Sequence, residues 1–169
     1  MRPLEYKLIK ELTEIKSRLK QGTYQILQSV QWNKYAEVLA NSGAKILREI
    51  EELRDSARDL KVPFLFFQVR KRLIELEENY NEAAKHFDLF FDSSMWWLKT
   101  VLEYERYSTS QKLSKDYIAG LINHCQKSID YLCGLVTSKR KQYHYFQSLF
   151  ISLVAVIIAA GSAIISGLK

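Results

Sequence analysis

The stretch Leu149–Leu168, LFISLVAVIIAAGSAIISGL, contains no charged residue, and Lys169 follows it. A helix of about 20 such residues, rising roughly 1.5 Å per residue, matches the roughly 30 Å hydrocarbon core of a bilayer. Just upstream lie Lys139, Arg140 and Lys141, then Tyr143, Tyr145 and Phe146. Cations followed by amphipathic rings are the usual flank where a helix enters a membrane. The pattern predicts a transmembrane helix over 149–168 and a separate domain over 1–148. The basic flank belongs on the cytoplasmic side, which makes the expected protein single-pass and tail-anchored, with its bulk in the cytoplasm.

The residues ahead of the span suffice for one domain with its own core. With two Pro and six Gly in 169 residues, the chain has few breaks and a helical bias. Its net charge of +6 is unevenly spread. Residues 1–61 carry 12 Lys/Arg against 9 Asp/Glu, residues 62–108 carry 6 against 8, and residues 109–148 carry 6 against 2. The excess next to the span suits anionic headgroups better than nucleic acid, for which no binding motif is present. The N-terminus, MRPLEYKLIKELTEIK, has no apolar core of signal-peptide length, and the GPI reading of a terminal apolar run would require export. Cys125 and Cys133 lie in apolar helical surroundings, which points to a reduced compartment and ordinary packing.

Apolar residues recur at helical spacing almost throughout. Leu4, Leu8, Leu12, Ile15 and Leu19 form a short stripe that stops at Gly22. Trp32, Ala36, Leu39, Gly43, Ile46, Ile50, Leu53, Ala57 and Leu60 form a heptad seam of coiled-coil type, predicting one helix from about Thr23 to Leu60, weakened near Asn41-Ser42-Gly43. Pro63 ends it. A third helix is predicted from about Phe64 to Tyr107, with Phe91 and Met95 among its interior residues, and a fourth from Ser110 or Ser114 with no breaker before the span. The expected fold is all-α: an elongated antiparallel helical bundle of one short and three long helices, the last continuing into the transmembrane helix.

A turn centred on Thr109 sets residue n of the third helix beside residue 218 − n of the fourth. Arg70, Lys71 and Arg72 then lie level with Ser148, Gln147 and Phe146, in that order. With Lys139, Arg140 and Lys141 they form a basic collar over anionic lipid, and Phe64, Phe66 and Phe67 dip into the interface. The plainer alternative makes those phenylalanines the buried end of the bundle. Within the span, Ser152, Ala155, Ala159, Ser162, Ala163, Ser166 and Gly167 share one side. Small residues at four-residue spacing let helix backbones approach, so this seam is expected to promote homo-oligomers. The alternatives are a pore lined by Ser152, Ser162 and Ser166, or small residues without a role.

Catalytic signals are thin. Glu82 and His86 share a helix face as an exposed pair, without the further carboxylates of a di-iron bundle. His124 and Cys125 are neighbours and point about 100° apart, so they cannot form a nucleophile pair. His144 falls in the interfacial belt, where a polar tip at the headgroups accounts for it. No CxxC pair, phosphate loop or HExxH motif occurs, so no enzyme activity, cofactor or metal is expected. Trp96 and Trp97 cannot both face one core, unless they bridge two helices of the bundle, and mark a candidate partner site. The expected function is non-enzymatic: the bundle binds an unknown cytoplasmic protein or senses a signal, and the span anchors and oligomerises. The rival is a channel-forming or membrane-permeabilising effector, and the third possibility is a tethered enzyme subunit.

Overall fold

In the computed structural model, residues 29–63, 69–103 and 109–167 are described, together with Lys10, Thr13, Glu14 and Ser17; side chains are described over 34–63, 69–99 and 113–164. Three helices and no strand occur among these residues: α1 (Ser29–Asp59), α2 (Arg70–Glu103) and α3 (Thr109–Gly167). The expected count of one short plus three long helices is therefore not matched. The stripe from Leu4 to Leu19 lies outside the described residues.

α1 is unbroken through Asn41-Ser42-Gly43, where weakening was expected. Its last turn closes with the Leu60 amide donating to the Ser56 carbonyl at 3.1 Å, short of Pro63. α2 opens with the Leu73 amide donating to the Val69 carbonyl at 2.9 Å. α3 has 59 residues and passes without interruption from the bundle into the apolar stretch, a length of roughly 90 Å at 1.5 Å per residue.

The three helices share one core. Leu39, Ile46, Ile50 and Ala57 of α1 meet Leu76, Ala83, Phe87, Phe90 and Trp97 of α2 and Ile118, Cys125, Ile129, Leu132 and Val136 of α3. Contacts fix the directions. Gly43 packs near Phe90 and Glu49 reaches His86, so α1 and α2 run oppositely. Glu77 pairs with Arg140 at 3.8 Å, within one residue of the register that a turn at Thr109 gives, so α2 and α3 also run oppositely.

Gly43 explains why α1 tolerates a glycine in mid-helix. A Cβ placed there would stand 2.6 Å from Phe90 Cζ and 3.2 Å from Leu121 Cδ1. The Cys125 thiol donates to the Gly43 carbonyl at 3.7 Å. The glycine is where side chains of α2 and α3 press against the α1 backbone, rather than a weak spot in the helix.

α2 departs from the expected interior after Phe90. Phe91 and Met95 are exposed, while Ser93, Ser94 and Trp97 are buried. The strict steps of four and three from Val69 lead through Phe87, Phe90, Ser94 and Trp97, and helix geometry follows that period rather than the hydrophobicity of each residue. The Ser93 hydroxyl donates to the Leu89 carbonyl at 2.7 Å. Among the described residues, the buried Ser94 and Ser42 hydroxyls have no hydrogen-bond partner.

Candidate membrane-facing site

The buried positions of α3 stop at Val136. Beyond it the helix leaves the core, and the end of the bundle nearest that point gathers cations from three segments. Lys61 follows α1, Arg70, Lys71 and Arg72 open α2, and Lys139, Arg140 and Lys141 sit on α3. All are exposed except the half-buried Lys139. Lys71 pairs with Glu75 at 3.8 Å and Arg140 with Glu77 at 3.8 Å. Lys61, Arg70, Arg72, Lys139 and Lys141 are ion-paired to no described residue. Five cations at this end of the bundle therefore pair with no described residue.

Directly above the apolar stretch lies an open groove of about 420 Å³ lined by Val62, Lys141, Gln142, Tyr145 and Phe146. Val62 brings the end of α1 to α3 here, so these two helices run in the same direction. Tyr143 stacks edge-on with His144 at 5.7 Å, and Tyr145 with Phe146 at 5.6 Å. His144 Nδ1 lies 3.4 Å from Gln147 Oε1. Phe64, Phe66 and Phe67, expected beside this collar, lie outside the described residues.

α3 holds a stretch long and apolar enough to cross a membrane, and none of it is buried by the rest of the chain. Ser152, Ala155, Ala159, Ser162 and Ala163 are all exposed along it. Ser166 and Gly167 close the helix, with side chains outside the described residues. The Ser152 hydroxyl donates to the Ser148 carbonyl at 3.0 Å and the Ser162 hydroxyl to the Ala159 carbonyl at 2.8 Å. Such back-bonding satisfies a hydroxyl inside its own helix, so neither serine needs water opposite it.

The adjacent tryptophans divide. Trp97 is fully buried in the shared core, so it is removed from any partner surface. Trp96 is exposed, with the Lys99 ammonium 5.9 Å from its ring centroid and Phe91 and Met95 exposed nearby in sequence.

His86 is also placed differently from its sequence pairing with Glu82. It is buried, and its Nδ1 lies 3.2 Å from Glu49 Oε2 across the α1–α2 contact. Glu49 was missed because it carries no motif, and only the register between α1 and α2 brings it to His86. Its place beside Ile50 of the heptad seam, a flanking position that commonly pairs across helices, was the available signal.

Other reactive groups are quiet. Burial, with the nearby Glu51 charge, pushes the Cys125 thiol up to about 11, against the thiolate that nucleophilic chemistry needs. A hydrogen bond between the Tyr80 phenol and the Cys133 thiol, with desolvation and neighbouring negative charge, holds Tyr80 up at about 12. Among the described residues, no three His, Cys, Asp or Glu side chains gather as a metal ion would require. No known protein family matches this chain, and no curated protein or solved structure matches it.

Proposed function

We propose that this protein is a membrane-anchored, non-enzymatic interaction protein. In this reading residues 149–168 of α3 cross the bilayer, and the antiparallel bundle ahead of them stays on the cytoplasmic face. The observation that supports it best is an uncharged helical stretch with no buried residue among those described, directly beyond cations that pair with no described residue. An apolar face of that size is costly in water and favourable among acyl chains. Each cation near an anionic surface adds on the order of 1 kcal/mol, so Lys61, Arg70, Arg72, Lys139 and Lys141 act together as the collar. The aromatic pair Tyr145–Phe146 occupies the headgroup layer.

The seam of Ser152, Ala155, Ala159, Ser162 and Ala163 supports homo-oligomers, because small residues admit close helix contact. The back-bonded hydroxyls of Ser152 and Ser162 favour this over a polar pore. Exposed Trp96 is the contact offered to a cytoplasmic protein.

Reconstitution of the full chain into liposomes tests the reading. The protein should float with the vesicles and resist alkaline extraction, with the bundle open to added protease on one side. Changing Arg70 and Arg72 to Glu should lower association with vesicles of phosphatidylserine, and leave neutral vesicles unaffected. Extraction by alkali, or equal association of both variants with anionic vesicles, refutes the anchor or the collar respectively. Dye leakage that depends on Ser152 and Ser162 would replace the anchor by a pore.

A further inference from the structure

α3 repeats itself. Asp116-Tyr117-Ile118-Ala119-Gly120-Leu121-Ile122 is followed 14 residues later by Asp130-Tyr131-Leu132-Cys133-Gly134-Leu135-Val136. Fourteen residues are two heptads, so equivalent positions return to the same face of a gently supercoiled helix. The apolar members of each copy are explained by the bundle: Ile118, Leu121, Leu132 and Val136 are buried. The tyrosines and glycines are not. Tyr117 is 55% exposed and Tyr131 52% exposed, and a Cβ at Gly120 or Gly134 would meet nothing within 4 Å. A glycine in mid-helix costs about 1 kcal/mol relative to Ala, and neither glycine gains a contact with a described residue of its own chain. A third tyrosine, Tyr145, follows at the same interval and is 63% exposed, with Ser148 where the glycines stand. At steps of four and three the stripe also takes in His124, Lys127, Ser138 and Lys141, and it continues to Ser152, Ala155, Ala159 and Ser162 of the span.

We infer that this outer stripe of α3 is a parallel helix–helix interface with a second copy of the same chain. The inference rests on the proposed insertion of α3 in a bilayer, which sets all copies in one direction with like residues at like heights. In parallel heptad packing, a knob enters a hole made by its own counterpart, the residue before it and the seam residues on either side. For Tyr131 that hole is Lys127, Asp130, Tyr131 and Gly134 of the second copy. The glycine leaves room for the ring, the carboxylate accepts the phenol O–H, and the ammonium lies toward the aromatic face. Asp130 Oδ1 already accepts from Gln126 Nε2 at 3.0 Å, and its second oxygen remains for the tyrosine. Lys127 of each copy lies beside Asp130 of the other, which offsets repulsion from its own counterpart across the seam. Tyr117 finds a similar hole in Leu113, Asp116 and Gly120, with an apolar residue in place of the ammonium. At 117/120 and again at 131/134 a large ring is followed by a vacant position, the pairing that a self-complementary surface requires.

Cysteine cross-linking of the full chain in liposomes tests this, in a Cys133→Ser background where the remaining Cys125 is buried. Gly120→Cys and Gly134→Cys should each give mostly disulfide-linked dimer on mild oxidation. Ala119→Cys and Gln126→Cys, exposed on another side of α3, should give at least tenfold less. Equal cross-linking on both faces, or none on the stripe, overturns the interface. The double variant Gly120→Leu with Gly134→Leu should lower dimer at least tenfold at fixed lipid dilution without lowering the bundle's melting temperature. Unchanged dimer, or dimer lost only because the bundle melts, also overturns it. Alkaline extraction of the same samples separates the two readings. Stripe-specific dimers in protein that alkali strips away would keep the interface and remove the anchor. Firmly inserted protein without stripe-specific dimers would do the reverse.

Discussion

Replacing Gly43 by Ala probes the close packing of Phe90 and Leu121 against α1. The added methyl would lie 2.6 Å from Phe90 Cζ, 3.0 Å from Cε2 and 3.2 Å from Leu121 Cδ1, where relaxed carbon contacts lie near 3.5–4.0 Å. Phe90 is fully buried and its ring is rigid, so α1 must shift or the ring must leave its rotamer. Overpacking of this kind costs about 1–3 kcal/mol. Against it stands the gain in helix propensity, about 1 kcal/mol for Gly to Ala. Gly120→Ala and Gly134→Ala carry the same propensity gain into open space. Subtracting one from the other cancels propensity and leaves the steric term, so Gly43→Ala should be about 1–3 kcal/mol less stable than either control. For a chain of this size that is a gap of roughly 2–12 °C in melting temperature. Circular dichroism of the full chain in dilute detergent measures it. Phe90→Leu, which removes the offending ring carbons, should recover part of the loss in a double-mutant cycle. If Gly43→Ala melts at or above Gly134→Ala, the close approach of α1 to Phe90 is wrong.

The remaining predictions concern single side chains. Trp97→Ala should cost about 3–5 kcal/mol of bundle stability, because it empties a fully buried site. Trp96→Ala should cost about 1 kcal/mol or less, the scale of an exposed cation–π contact, and equal losses in denaturation would contradict the split between them. In a Cys133→Ser protein at pH 8, Cys125 at about 11 rather than 9.0 has about a hundredfold less thiolate. Alkylation followed by mass spectrometry should be slower by at least that factor than in denaturant. The same raised values set an alkaline limit. The folded state holds the Cys125 and Tyr80 protons more tightly than the unfolded chain, so their contribution is intact below about pH 9 and falls as pH rises toward 11 and 12. A melting temperature flat from pH 9 to 11, measured alongside a Cys125→Ser variant, would refute it.

Much of α1 and α3 was legible because their seams obey one period. Ala36, Leu39, Ile46, Ile50 and Ala57 are buried as their spacing predicts, and so are Ile118, Cys125, Ile129, Leu132 and Val136. Leu98 apart, α2 was legible only to Phe90. Beyond it the apolar residues Phe91 and Met95 leave the strict period, while serines keep it, and the period prevails because all side chains ride on one backbone. The Trp96-Trp97 pair was resolved the same way. The repeat in α3 was readable in the letters, yet its meaning depended on which half of each unit the bundle already uses.

From the sequence alone came the uncharged stretch of Leu149–Leu168, the basic and aromatic flank before it, and the helical periodicity ahead of both. These are local properties: segment length against bilayer thickness, and spacing against 3.6 residues per turn. Tertiary packing alone decided that Glu49 meets His86, that Gly43 is a point of contact, and that Lys61 at the end of α1 joins the two basic triplets. Those pairings depend on the rotation and register of whole helices. No local spacing sets either one, because both are chosen jointly by every side chain that must fit between α1, α2 and α3.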